Sequence, residues 1–166
     1  MKKMDFLVKL AKESKLGLVE SSEEIKQSYI EKSESNIISA KILLENNKLE
    51  ESVGLAYYSM YHSLIALLFK TGIKSENHTA SIILLKTIFG IDNSDIAFAK
   101  RERVDKQYYI NFKITKEQVK DAIRKAELFN NKLLDFISKI TNEDIRLYRE
   151  KFESLAKQGV LRNKKS

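Results

Sequence analysis

The chain has 166 residues, no cysteine, no proline and a formal net charge of +7. This length suits one domain with a proper core, and the absence of cysteine excludes disulfides and thiolate metal sites. With only two histidines a zinc site would need mostly carboxylate ligands at a spacing that the chain does not show, so we expect no metal and no cofactor.

The N-terminal third is predicted to form two helices. Apolar spacing predicts a short helix over residues 5–15, which Gly17 is expected to end. Ser21 and Glu24 have the spacing of a capping box, which predicts the start of a long helix that ends near residues 46–47.

The helix predicted over residues 50–71 is the most apolar segment of the chain, and Gly72 is its expected C-cap. Residues 53–69 contain no charged side chain. They are interrupted by Gly54, Ser59 and His62 and fall short of the ~20 apolar residues of a membrane span. We therefore expect a central, surrounded helix in a cytoplasmic protein with no membrane segment and no signal peptide.

Four further helices are predicted: over residues 76–89, over residues 92–108, from the capping-box pair Thr115 and Gln118 to about residue 140, and from Thr141 onward. The scarcity of glycine and the absence of proline favour the same fold class. The sequence thus predicts an all-α, up-and-down helical bundle in one domain, residues 1–166, with a short N-terminal helix. Its core would span about residues 21–140, and residues 141–166 would form a helical extension and a basic tail.

The first segment with candidate chemistry lies around the two histidines. Tyr58 and His62 are one helical turn apart and can share a ligand, although a histidine in an apolar helix is more often a structural group. His78 lies near a predicted helix start, where backbone amides favour an anion. Its alternative role is to cap that helix.

The second segment covers residues 100–109 and concentrates arginine and tyrosine. Arginine donates a two-pronged pair of hydrogen bonds to phosphate, and tyrosine offers a face on which a base can stack. The positive net charge also favours polyanions. The alternative is a solvated charged face in which Arg101 and Asp105 form an ordinary intrahelical ion pair.

Together these segments resemble the HEPN superfamily. Residues 57–62 read Tyr-Tyr-Ser-Met-Tyr-His, residues 66–68 read Ala-Leu-Leu, and Gly72 and the pair Asn77-His78 follow. Residues 103–109 are similar to the arginine-then-Asp-Tyr segment of small stand-alone prokaryotic members. The resemblance covers about residues 33–136.

The resemblance implies a helical bundle, often dimeric, from prokaryotic cytoplasm. Such proteins are commonly encoded beside a minimal nucleotidyltransferase as toxin–antitoxin pairs. Many are metal-independent endoribonucleases, whereas others bind nucleotides or have no catalytic activity. The ribonuclease motif places arginine four to six residues before histidine, and neither His62 nor His78 has an arginine at that spacing.

We therefore interpret the chain as a non-catalytic or degenerate HEPN protein that binds RNA or a nucleotide, as a homodimer or with a nucleotidyltransferase. The expected binding residues, which we predict to line one cleft, are Tyr58, His62, His78, Arg101, Arg103, Asp105, Lys106 and Tyr109. Two alternatives stay open: an endoribonuclease toxin that uses His78 and Arg103, and a purely structural interaction module.

Overall fold

The computed structural model describes residues 2–108 and 113–163, with side chains for residues 2–104 and 113–157. The elements in chain order are α1 Lys2–Lys12, β1 Leu16–Leu18, α2 Glu23–Glu45, α3 Leu49–Thr71, β2 Ile73–Ser75, α4 His78–Thr87, α5 Ser94–Tyr108, α6 Lys116–Lys139 and α7 Asn142–Asn163. The predicted all-α helical bundle is confirmed.

Helix α3 is the centre of the bundle. It pairs antiparallel with α2 and also packs against α5 and α6. Within the described residues it alone has the length and apolar composition of a membrane span, yet 78% of its most apolar window is buried inside the protein. Burial by neighbouring helices on several sides identifies α3 as a core helix.

Small polar residues allow α3 to lie close to α2 and α6. Ser59 Oγ donates to the Ser33 carbonyl oxygen at 2.8 Å, and Ser33 Oγ lies 2.7 Å from Ser63 Oγ. From α6, Asn130 Nδ2 donates to Ser59 Oγ at 2.7 Å, while Asn130 Oδ1 accepts from Ser63 Oγ at 2.9 Å. These four side chains are buried, and because they satisfy one another, the polar contact fixes the register of the three helices.

Several helix boundaries differ from the predicted ones. Helix α1 ends at Lys12, before Ser14 turns the chain with φ 58°, so Gly17 does not end it and lies in β1 instead. The N-cap of α2 is Ser22, whose Oγ accepts from the Ile25 amide at 3.1 Å. The predicted Ser21–Glu24 box was wrong because the second of two consecutive serines occupies the cap. The capping box at Thr115 and the C-cap at Gly72 are confirmed.

A two-stranded antiparallel sheet was not predicted. β1 pairs with β2 so that Leu16 faces Ser75 and Leu18 faces Ile73. Three-residue strands are too short to show a periodicity in sequence. Strand β2 follows α3 directly, so the segment predicted to be helical from residue 76 becomes helical only at His78. Strand β2 therefore determines where α4, and with it His78, begins.

Helix α7 packs back onto the turn between α3 and β2. Phe152 is buried, and Arg149 Nη1 donates to the carbonyl oxygens of Val19 at 2.6 Å and Gly72 at 2.9 Å. These contacts satisfy one backbone oxygen at the end of α3 and one in the segment between β1 and α2. Gly72 has φ 68°, and a Cβ there would collide with Arg149 Nη1 and the Val19 carbonyl oxygen.

We expect Gly72→Ala to lower the free energy of unfolding by roughly 2–4 kcal/mol, since it combines a left-handed backbone with a steric clash. Urea denaturation measures this loss. Gly90 also has a positive φ, but a Cβ there would meet no atom within 4 Å. Gly90→Ala therefore measures the cost of the left-handed backbone alone, roughly 1 kcal/mol. An equal loss in the two variants would contradict the proposed role of the Arg149 contact.

Candidate functional site

Tyrosines of α3 form the floor of the candidate site. Tyr57 is fully buried, Tyr61 is nearly so, and Tyr58 is half-buried. Tyr57 and Tyr61 lie one turn apart, so their rings stack along the helix at 6.2 Å between centroids. Burial raises the pKa of both phenols, which keeps them neutral, as hydrogen-bonding groups, near pH 7.

His78 is the first residue of α4 and is held over these tyrosines. The Asn77 side chain caps α4 by accepting from the Ala80 amide at 3.0 Å. A hydrogen bond of 2.7 Å joins His78 Nδ1 to the Tyr57 hydroxyl, and the imidazole stacks on Tyr61 with ring centroids 3.7 Å apart. The cap of α4 is therefore Asn77 and not His78, whose ring is fixed by two tyrosines.

Arg103 reaches the same tyrosines from α5. Its Nη1 donates to the Tyr58 hydroxyl, and its guanidinium carbon lies 5.4 Å from the Tyr57 ring centroid and 5.2 Å from that of Tyr58. Such distances are typical of cation–π contacts. Arg103 Nε is buried and has no hydrogen-bond partner among the described residues. An unpaired buried donor is costly, so this guanidinium has unused capacity for an acceptor.

We call Tyr57, Tyr58, Tyr61, His78 and Arg103 the tyrosine–histidine–arginine cluster. Lys100 lies one turn before Arg103 and donates to the hydroxyl of Thr79, the residue that follows His78. Burial, followed by the charges of Arg103 and Lys100, lowers the pKa of His78 to about 4. Among the residues whose side chains are described, the charges that perturb His78 are cationic, which is the electrostatic character of an anion site.

His62 lies beside the cluster, on the next exposed turn of α3. Asn36 Nδ2 donates to His62 Nδ1 at 3.0 Å, and the imidazole lies 5.7 Å from the Tyr29 ring and 6.2 Å from the Tyr58 ring. Burial, with a smaller effect from Lys32, lowers the pKa of His62. His62 is therefore a hydrogen-bonded group of the α2–α3 interface that also borders the cluster.

The structure brings together part of the predicted set. Tyr58, His78 and Arg103 meet directly, and His62 adjoins them through Tyr58. Arg101 is exposed and its guanidinium lies 5.9 Å from the Phe98 ring, on another face of α5, as the two-residue offset from Arg103 requires. Tyr109 and the side chains of Asp105 and Lys106 lie outside the described residues.

The sequence interpretation left three contributors out of the site. Tyr57 and Tyr61 hold His78, and Lys100 adds a cation beside Arg103. The spacing of Tyr57 and Tyr61 placed them on one face of α3, but an aromatic stripe on an apolar helix is usually core. The contacts of Lys100 depend on how α5 docks on α4, which no local pattern encodes. The described part of the chain contains no group of three or more His, Cys, Asp or Glu side chains placed to hold a metal.

We expect an NMR titration of the His78 ring to give a pKa of about 4, well below that of an exposed imidazole. Because the folded pKa is below the unfolded one, the unfolded chain binds more protons between about pH 4 and 6.5. His78 therefore contributes stability above that window and loses it as the pH falls. Arg103→Gln removes a neighbouring cation and should raise the pKa. A wild-type value near 6.5 would contradict this description of the site.

Comparison with known proteins places this chain in a family. Residues 26–140, more than half of the chain, match the HEPN domain. A protein of Methanocaldococcus jannaschii named "Putative toxin MJ0605" is 30% identical over 69% of this chain and 90% of its own length. A "UPF0332 protein" of Thermotoga maritima is 32% identical over 64% of this chain and 83% of its own length. A third relative, "UPF0332 protein PH1297" of Pyrococcus horikoshii, is 38% identical over 45% of this chain and 50% of its own length. The chain belongs to the HEPN family.

Proposed function

We propose that this HEPN protein binds RNA or a nucleotide through the tyrosine–histidine–arginine cluster and does not cleave it. The observation that carries the proposal is the place of Arg103, beside Lys100 and His78, with a guanidinium donor that lacks a partner among the described residues. A phosphate oxygen is the acceptor that best suits an arginine in this setting. The net charge of +7 adds a long-range attraction for the same ligand.

Three features argue for binding over catalysis. The arginine that precedes histidine by four to six residues in the family's ribonuclease motif is missing at both histidines. A general base works best with a pKa near the operating pH, whereas the pKa of His78 in the free protein is about 4. His78 Nδ1 is moreover already engaged with the Tyr57 hydroxyl.

Ribonuclease activity is the second candidate, favoured by the common contact of His78 and Arg103 with the Tyr57–Tyr58 pair. His78 would take the proton of a ribose 2′-hydroxyl whose oxygen attacks the adjacent phosphorus. The 5′-oxygen would leave with a proton from solvent, and Arg103 would neutralise the phosphate. A bound phosphate would raise the pKa of His78, which makes it a better base in the complex.

A protein partner in the prokaryotic cytoplasm completes the proposal. The relative from Methanocaldococcus jannaschii bears the name of a toxin, which supports a toxin–antitoxin pair, with a minimal nucleotidyltransferase or a second copy of the chain as partner. Ile38 and Ile42 lie one turn apart on α2 and are 57% and 53% exposed. Exposed apolar side chains of this kind support a contact with another protein.

Arg103→Gln tests the proposal directly. We expect it to weaken binding of a fluorescein-labelled single-stranded RNA, measured by fluorescence anisotropy in EDTA, by roughly 10- to 100-fold, since a charge-assisted hydrogen bond contributes about 1.5–3 kcal/mol. Arg124→Gln is the matched control, because Arg124 is exposed and forms a surface ion pair with Asp121 on α6. Equal loss in the two variants would mean that net charge, not the cluster, binds the ligand.

The same samples distinguish the two candidate functions on a denaturing gel. Intact RNA after incubation with the wild-type protein supports the binding protein. Metal-independent cleavage that disappears in both His78→Ala and Arg103→Gln would replace the first proposal with the ribonuclease.

A further inference from the structure

Four half-buried aromatic side chains form a continuous row that ends at the cluster. Phe69 stacks on Tyr29 with centroids 5.6 Å apart and planes 9° apart. Tyr29 lies 5.7 Å from His62, and His62 lies 6.2 Å from Tyr58. Tyr58 in turn accepts a hydrogen bond from Arg103. We call Phe69, Tyr29, His62 and Tyr58 the aromatic row.

The row follows from the pairing of two helices. Tyr29 comes from α2, whereas Tyr58, His62 and Phe69 come from α3 at intervals of four and seven residues, which keeps them on one helical face. The hydrogen bond from Asn36 to His62 fixes the imidazole between Tyr29 and Tyr58. The arrangement of the aromatic row therefore depends on the same antiparallel register of α2 and α3 that the buried serines fix.

A cavity of about 280 Å³ opens beside the far end of the row. Tyr29, His62 and Phe69 line this cavity, and so does Tyr61, the member of the cluster whose ring stacks on His78. Cations stand at both ends of the row. Lys32 is exposed with Nζ 5.3 Å from the Tyr29 ring centroid, and Arg103 lies beside Tyr58.

Aromatic faces between two cationic ends match the chemistry of an unpaired polynucleotide. Bases of a single strand expose their faces and stack on aromatic side chains, whereas the bases of a duplex are stacked on each other and unavailable. A mononucleotide occupies only one end of such a row. A purely apolar partner surface would offer no acceptor to the charged groups of Lys32 and Arg103.

We propose that the aromatic row is a track for a single-stranded nucleic acid, which places a phosphate at Arg103 and at least one base in the cavity beside Tyr29 and His62. The inference rests on the proposed function and narrows its ligand from RNA or a nucleotide to a strand of several unpaired residues. Lys32 contacts the backbone phosphate at the far end of the track.

The first test uses the wild-type protein alone. Anisotropy in EDTA compares a labelled eight-residue single strand, the same strand with abasic positions, its duplex and a labelled mononucleotide, in RNA and DNA arms. Because stacking of one base contributes about 1–3 kcal/mol, we expect the intact strand to bind roughly 5- to 100-fold more tightly than the abasic strand. That preference in either arm supports the track. Equal binding of intact and abasic strands in both arms overturns it.

Single substitutions show which side chains contact the bases and which contact the phosphates. Tyr29→Leu retains apolar bulk but removes the ring, and is expected to abolish the preference for the intact over the abasic strand. Lys32→Gln is expected to weaken both strands about 3- to 10-fold. Lys41→Gln is the matched control on the same helix, since Lys41 pairs with Glu127 at an exposed position and contributes little to stability.

The two proposals fail in different ways. Loss of binding in Arg103→Gln with equal affinity for intact and abasic strands retains the proposed function and removes the track. A base preference that depends on Tyr29, with the affinity for both strands unchanged in Arg103→Gln, supports stacking along the row and removes the cluster as the phosphate site. The abasic comparison with the wild-type protein remains decisive if Tyr29→Leu does not fold.

Discussion

The buried hydrogen bonds among Ser33, Ser59, Ser63 and Asn130 are the constraint on which the site depends. They satisfy four polar side chains where α2, α3 and α6 approach closely, and a shift of α3 by even one residue would leave several of them unpaired. Such a shift would lower the stability of the fold, because buried polar groups without partners are unfavourable. The register that they impose sets which face of α3 turns towards α4 and α5, and that face carries the tyrosines that hold His78 and Arg103.

The site combines this rigid floor with an excess of positive charge. Tyr57 and Tyr61 immobilise the imidazole of His78. Burial, together with the charges of Arg103 and Lys100, keeps this ring neutral by lowering its pKa to about 4. Gathering cations at one place costs stability, and departures of this kind occur mainly at functional sites. The Nε of Arg103, which has no hydrogen-bond partner within the described part of the chain, is consistent with the same requirement. A bound phosphate would satisfy the guanidinium and remove the electrostatic repulsion.

Much of the bundle could be predicted from the sequence, because helix periodicity, the Thr115–Gln118 capping box and the Gly72 C-cap are local signals. The short sheet could not, since β1 and β2 pair residues almost sixty positions apart and neither strand shows a pattern of its own. The resemblance to HEPN proteins predicted that the two histidine- and arginine-bearing segments share a cleft, and Tyr58, His78 and Arg103 do meet. Tyr61, Lys100 and the partnership of Tyr29 with His62 depend on helix docking, which local spacing does not specify.

The central claim is that nucleic acid lies along the face of α3 that carries the aromatic row and the tyrosine–histidine–arginine cluster. Photo-crosslinking with a single-stranded RNA that contains 4-thiouridine, followed by mass spectrometry of the tryptic peptides, tests it without any substitution. The account predicts crosslinks to peptides that contain Tyr29, Tyr58 or His62, with protection by unlabelled RNA. Crosslinks confined to α6, or to the exposed lysines of α1, would contradict it.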